Sequence, residues 1–186
     1  MTTDQAVGRR ATDQPAGRSA ERSLGPEEFR NVFRRHPAGV AVVALTHDSR
    51  PVGFTATSVI SVSADPPLLT FSVAATSSSW PAVAVARTLT VSFLAEDQEH
   101  LSARFSTSGI DRFADGGWST LPTGEPVIDG AVSWVRARIV QRTAVGGSWL
   151  VSVRALESGG TGGAPLVYHD RTYRRLGDTG EGTGEV

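Results

Sequence analysis

Between Gly53 and Trp80 the chain reads GFTATSVISVSADPPLLTFSVAATSSSW, two strand-like runs joined at a Pro66-Pro67 corner. Val59 to Ala64 alternates apolar and small polar residues. Leu68 to Ala75 is nearly continuous apolar sequence closed by small polar residues. Both patterns suit strands buried on at least one face. A hydroxyl-rich segment flanks each run: Thr55, Thr57 and Ser58 on one, Thr76, Ser77, Ser78 and Ser79 on the other. Antiparallel pairing across the corner would bring the two clusters together at one end. Short donors and free backbone N–H groups there suit a flat polar ligand with a phosphate.

The remaining sequence limits what such a stretch can belong to. The chain has 186 residues, 39% hydrophobic and 20% charged, the profile of one globular domain with a single core. A net charge of -1 argues against a dedicated nucleic-acid surface and against electrostatic docking on a membrane. There are no cysteines, which removes disulfides, thiolate metal sites and cysteine nucleophiles. No apolar run approaches the ~20 residues that span a bilayer. The polar N-terminus lacks the apolar segment of a secretory signal, so the expected location is the cytoplasm.

Residues 1–24 show no apolar period and read as a disordered tail. The folded domain is expected over 25–176, and 177–186 reads as a second polar tail. Gly25-Pro26-Glu27-Glu28 marks a helix start, with Phe29, Val32 and Phe33 on one face and Arg30, Arg34 and Arg35 on the other. That helix is expected to lie on the domain. Val40 to Thr46 and the sequence from Val52 form a hairpin about His47-Asp48-Ser49-Arg50-Pro51. Ser79 is a candidate cap for a short helix containing Pro81, and Asp97 for one with Leu101 and Phe105 on one face. Leu89–Leu94, Val132–Val140 and Trp149–Leu156 read as strands, and Leu166–Tyr168 with Thr172-Tyr173 as a last hairpin. Ser106 to Pro126 is expected to be one long irregular loop, of the kind that covers a site. Seven or eight strands, two or three short helices and no long crossover make a mainly β protein, an antiparallel barrel.

No dinucleotide fingerprint, phosphate loop or nucleophile elbow is present. The four histidines show no ligand spacing, so no metal site is expected. From residue types alone, the hydroxyl clusters are either strand-end decoration or a ligand site.

The order of blocks is more specific. It comprises Phe33, the PAGVAVVA segment from Pro37, GFTATSVISVSADPPLLTFSV from Gly53, and SSSW at Ser77–Trp80. LSARF at Leu101–Phe105 and PLVY at Pro165–Tyr168 complete it. Over about residues 27–176 the chain resembles the flavin reductase-like family, the small FMN-binding split-barrel (Greek-key) reductases that serve two-component monooxygenases. The resemblance implies a homodimer with FMN or FAD in a groove at the barrel edge, and NADH or NADPH as co-substrate. It also implies a flavin-dependent monooxygenase as the partner that receives reduced flavin.

Residue by residue, the resemblance implies that Thr55, Ala56, Thr57 and Ser58 run along the isoalloxazine. Ser72, Val73, Ala74, Ser77, Ser78 and Ser79 would hold the ribityl chain and phosphate. Arg104 and Phe105 match the block that closes over the flavin. Arg104 is either a phosphate partner or a solvated helix-face charge. No protein residue is expected to be catalytic, since the flavin carries the hydride chemistry. The nicotinamide side would be Ser148, Tyr168 and His169. Tyr168 reads equally as an edge-of-core aromatic. Many relatives have Gly-Asp-His at the turn where this chain has Gly146-Gly147-Ser148, and serine supplies no imidazole. That departure keeps an alternative open, a flavin-binding split barrel with little NAD(P)H turnover. A further reading is a flavin-dependent oxidoreductase acting directly on an organic substrate, with Ser106–Pro126 as its lid.

Overall fold

A computed structural model describes residues 22–176. The expected tails lie outside the described residues, apart from Arg22, Ser23 and Leu24. Helix α1 (Pro26–Arg34) starts where the Pro-Glu-Glu signal places it, and Glu28 accepts the Gly25 N–H at 2.9 Å. The helix does not pack as expected. None of its residues is buried, and Phe29, Val32 and Phe33 stay exposed. Its tie to the body is backbone: Arg34 C=O accepts the Asp170 N–H at 3.0 Å.

After β1 (Ala38–Gly39), strands β2 (Ala41–His47) and β3 (Arg50–Ala56) form the expected hairpin. Its turn residues Asp48 and Ser49 have φ of 48° and 62°, the left-handed pair that matches strand twist in a two-residue loop. Strands β4 (Ile60–Ser63) and β5 (Leu68–Ala74) pair antiparallel across the Pro-Pro corner, Ile60 opposite Thr70. Helix α2 (Trp80–Val85) follows, then β6 (Thr88–Phe93). Arg142 donates to the Val83 and Ala86 carbonyls at the end of α2, satisfying acceptors the helix leaves open.

Helix α3 (Glu99–Ser106) is capped by Gln98 rather than Asp97. The reason is tertiary: the Gln98 side chain accepts the Ala95 N–H at 3.0 Å and donates to Asp129 C=O at 2.7 Å. The 106–126 segment is not one irregular loop. It contains β7 (Trp118–Thr120), which pairs with β8 (Pro126–Ile128). Strands β9 (Ser133–Val145) and β10 (Ser148–Gly159) are longer than expected, because register shifts let the ladder continue past the apolar alternation. The chain closes with the hairpin β11 (Leu166–His169) and β12 (Thr172–Arg175).

Seven strands form one antiparallel sheet in the order β3-β2-β6-β9-β10-β5-β4. The chain joins its two outer strands through Thr57–Val59. There Ser58 clips the sheet shut: its Oγ accepts the Ser72 N–H and lies against Ser72 Oγ, each at 3.0 Å. The sheet therefore rolls into a split barrel. Val43, Leu45, Phe54, Phe71, Val91, Val151 and Val153 fill its interior. Val40, just before β2, and Val42 and Ala44 on the opposite face of β2 join a second core with Leu101, Phe105, Phe113, Ile128 and Leu166. Burial on both faces is why this segment is apolar without alternation. In that outer layer Glu125, nearly fully buried, binds Arg136 at 3.0 Å. The pair shields most of the Arg136 side chain from solvent.

Candidate cofactor groove

Position 53 is where the barrel meets the groove. A Cβ there would come within 3.0 Å of the Phe105 ring, the Phe113 ring and Val43 C=O, so β3 passes too close to the second core for any side chain. The alternation of β3 then turns Phe54 and Ala56 inward, while Thr55 and Thr57 face outward. From Gly53 to Thr57 this face runs about 13 Å at the rise of an extended chain.

At the Gly53 end is a cavity of about 180 Å³ lined by Val52, Ser78, Ser79, Asp111, Arg112 and Phe113 among others. Ser79 does not cap α2 with its hydroxyl. The hydroxyl instead points to Gly53 C=O at 3.4 Å and accepts from Arg112 Nη1 at 3.2 Å. Arg112 also donates to Gly53 C=O at 2.7 Å and, through Nε, to Thr107 C=O at 2.8 Å. All these acceptors are uncharged. Burial pushes the guanidinium's pKa down from its usual value, yet it stays a cation at neutral pH. A half-buried cation with no ion pair among the described residues can accept an anion.

Farther along β3 is a cavity of about 260 Å³ lined by Val40, Thr55, Thr57, Ser102, Ser106, Tyr168 and Tyr173. Thr55 donates to Ser102 C=O at 2.7 Å, and Tyr173 donates to Ser102 Oγ at 2.8 Å. The first bond ties β3 to α3, and the second ties the β11–β12 hairpin to α3. Tyr168 and Tyr173 pack edge to face, centroids 5.2 Å apart, and form an aromatic wall. Thr57 and Tyr168 also line a third cavity.

The expected residues therefore separate by role. Thr55, Thr57, Ser58, Ser78, Ser79 and Tyr168 line cavities. The side chains of Ala56, Val73 and Phe105 are core, so only their backbone can meet a ligand. Ser72 spends its hydroxyl on Ser58, and Ser77 accepts the Ser79 N–H at 3.3 Å. Ala74 is exposed at the end of β5, opposite Ser148 in the ladder. Neither Ser148 nor His169 lines any of the three cavities. Ser148 begins β10 beside Trp149, which stacks on Trp80 at 4.4 Å. Arg104 is turned away from the serines. It donates to Gly116 C=O and lies 3.7 Å from Asp115, fastening the 107–117 loop to α3. Arg112, not Arg104, lies beside Ser79. Its signal in the sequence was an arginine between an aspartate and an aromatic in a glycine-containing loop.

No group of three or more potential metal ligands occurs among the described residues. Among the same residues no helix is long and apolar enough to cross a membrane.

Known proteins share this fold and sequence. The family described as flavin reductase like domain matches residues 33–177. An NADH:FMN oxidoreductase of Rhodococcus qingshengii is 47% identical over 154 residues, covering 80% of each chain. The reductase subunit HsaB of a flavin-dependent monooxygenase from Mycobacterium tuberculosis is 33% identical over 73% of this chain and 72% of its own. The crystal structure of a flavin reductase domain protein from Arthrobacter superposes with a TM-score of 0.79. It shares 36% identity and covers 83% of this chain and 98% of its own. With the split barrel, the hydroxyl-lined strand and the family match in agreement, the chain belongs to the flavin reductase-like domain family.

Proposed function

We propose that the protein is an NAD(P)H:flavin oxidoreductase that reduces FMN or FAD and supplies the reduced flavin to a partner monooxygenase. The observation that carries this reading is the groove along β3. It has a half-buried, unpaired arginine with a serine at one end and the Thr57 hydroxyl beside an aromatic wall at the other. When bound, the flavin supplies the ring that accepts a hydride from the nicotinamide.

The chain's own residues position and exclude. Arg112 Nη2 and the Ser78 hydroxyl hold the phosphate, with Ser79 orienting Arg112. Thr57 and the backbone of Thr55–Ser58 hold the polar edge of the ring. Tyr168 and Tyr173 close one side against water. Small neutral contacts outnumber charged ones, which keeps affinity moderate and lets reduced flavin leave. The relatives support the partner class: one is named as a monooxygenase reductase subunit.

A homodimer fits the bare apolar surface. Phe29, Val32 and Phe33 on α1 and Ile60 and Val62 on β4 are all exposed, and a second copy would cover them. Sedimentation of the purified chain at twice the monomer mass is the expected result.

The direct test is anaerobic mixing of protein, FMN and NADH or NADPH while the flavin absorbance is followed. Bleaching well above the protein-free rate supports the assignment. Bound flavin that fails to bleach would return the chain to the non-reducing alternative that Ser148 keeps open.

A further inference from the structure

The segment that faces Ser78 and Ser79 across the first cavity is attached unevenly. Both of its ends are anchored. At one end Thr107 Oγ1 donates to Ala103 C=O at 2.8 Å, and the Thr107 N–H to Arg104 C=O at 3.2 Å. At the other, Phe113 is buried between the Phe105 and Trp118 rings, with centroids 4.9 and 5.1 Å away. Trp118 Nε1 also donates to Phe113 C=O at 2.9 Å. Between these anchors Ser108, Gly109, Ile110 and Asp111 are exposed and Arg112 is half-buried.

One side chain makes every polar crossing of the cavity. Among the described residues, the hydrogen bonds from 108–112 to the opposite wall are those of Arg112 Nη1 to Gly53 C=O and Ser79 Oγ. That wall is fixed, because Gly53 is pinned against Phe105, Phe113 and Val43. Gly109 supplies the bend in the exposed segment, with a φ of 78° and open space where a side chain would stand. The cavity between the two walls, about 180 Å³, is below the usual range for a small-molecule site, about 300–1,000 Å³. Room for a phosphorylated tail therefore comes from the wall that is free to move.

We infer that residues 108–112 are a gate, latched by Arg112, that opens to admit and release the flavin. The inference rests on the reading of this cavity as the flavin phosphate site. Opening gives up the two Nη1 bonds and exposes little new surface, since 108–111 already lie in solvent. A phosphate on Nη2 gains a charge-assisted partner that faces Ser78 only when the gate is shut, so bound ligand favours closure. The gate then sets the rate at which reduced flavin leaves, the step that closing loops commonly control.

Gly109→Ala acts on the bend alone, since its Cβ would meet nothing within 4 Å. A left-handed φ disfavours alanine, which shifts the balance from closed to open by about 5–30-fold. Gly162→Ala is the control: its φ is 72°, it is equally unobstructed, and it lines none of the three cavities. Trypsin cleavage after Arg112, identified by fragment mass, reads the open population. Stopped-flow flavin fluorescence reads FMN release. Gly109→Ala should raise the Arg112 cut in ligand-free protein about 5–30-fold and speed FMN release by a similar factor. Gly162→Ala should change neither, and saturating FMN should slow the wild-type cut about tenfold or more. Equal cut rates in wild type and Gly109→Ala, an unchanged release rate, or a cut that bound FMN fails to slow would each overturn the gate and leave the reductase assignment intact. A wild type that binds no flavin sinks the assignment instead, and the ligand-free cut rates still decide whether the segment opens.

Discussion

Replacing Arg112 with glutamine separates the phosphate from the rest of the flavin. In the structure Nε and Nη1 are taken by Thr107 C=O, Gly53 C=O and Ser79 Oγ, which leaves Nη2 for an incoming anion. A hydrogen bond to a charged group contributes about 1.5–3 kcal/mol, equivalent to roughly 10–150-fold in Kd. The substitution also loosens the 107–113 loop, and that penalty falls on every ligand of the groove. Riboflavin, the same ring and ribityl chain without phosphate, measures this common part. Titrating wild type and Arg112→Gln with both flavins by fluorescence completes a double-mutant cycle. The expected result is FMN weakened by the full factor and riboflavin by a few-fold at most, with the difference shrinking in high salt. Equal weakening of the two flavins would show that Arg112 only braces the loop, and the phosphate would then have to be sought elsewhere.

Thr57→Val removes a hydroxyl that lines two cavities. FMN affinity should fall by about 0.5–1.5 kcal/mol with an unchanged melting temperature, and an unaltered Kd would strike Thr57 from the contacts. Tyr173→Phe loses the 2.8 Å bond to Ser102. It should cost roughly 1 kcal/mol of stability and raise KM for the nucleotide, and a melt and a rate curve check both parts. Glu125 offers a pH test. Burial alone would raise its pKa, but hydrogen bonds from Arg136, Thr123 and Thr88 outweigh that, so the net shift is downward. The folded value is thus below the unfolded one, near 4.3. The stabilisation is present above that pH and is lost as pH falls through the folded value. Glu125→Gln should therefore cost about 3 kcal/mol at neutral pH, a drop of roughly 6–12 °C in Tm. The gap to wild type should narrow below about pH 4, and a constant gap down to pH 3 would refute the assignment of that acid sensitivity to Glu125.

Much of the fold was legible because it depends on local pattern. Alternation and the Pro66-Pro67 corner are enough to pair β4 with β5, and Asp48-Ser49 mark the turn of β2 with β3. The hydroxyl rows at 55–58 and 76–79 are visible in the same way, as is the block order that carries the family resemblance. What escaped depends on contacts distant in sequence. Asp97 is a better intrinsic cap than Gln98, yet Gln98 wins because Asp129 is within its reach. Arg104 and Arg112 have equal claims on a phosphate until Gly116 and Asp115 occupy one and Ser79 and Gly53 orient the other.

The amino-acid order alone thus determined that this chain closes an antiparallel barrel with small polar residues gathered near one edge, because strand period and turn chemistry act over a few residues. Tertiary structure decided which of those hydroxyls stay free and which arginine meets the serines. Those outcomes follow from packing across separations such as the 33 residues between Ser79 and Arg112, where no local preference operates.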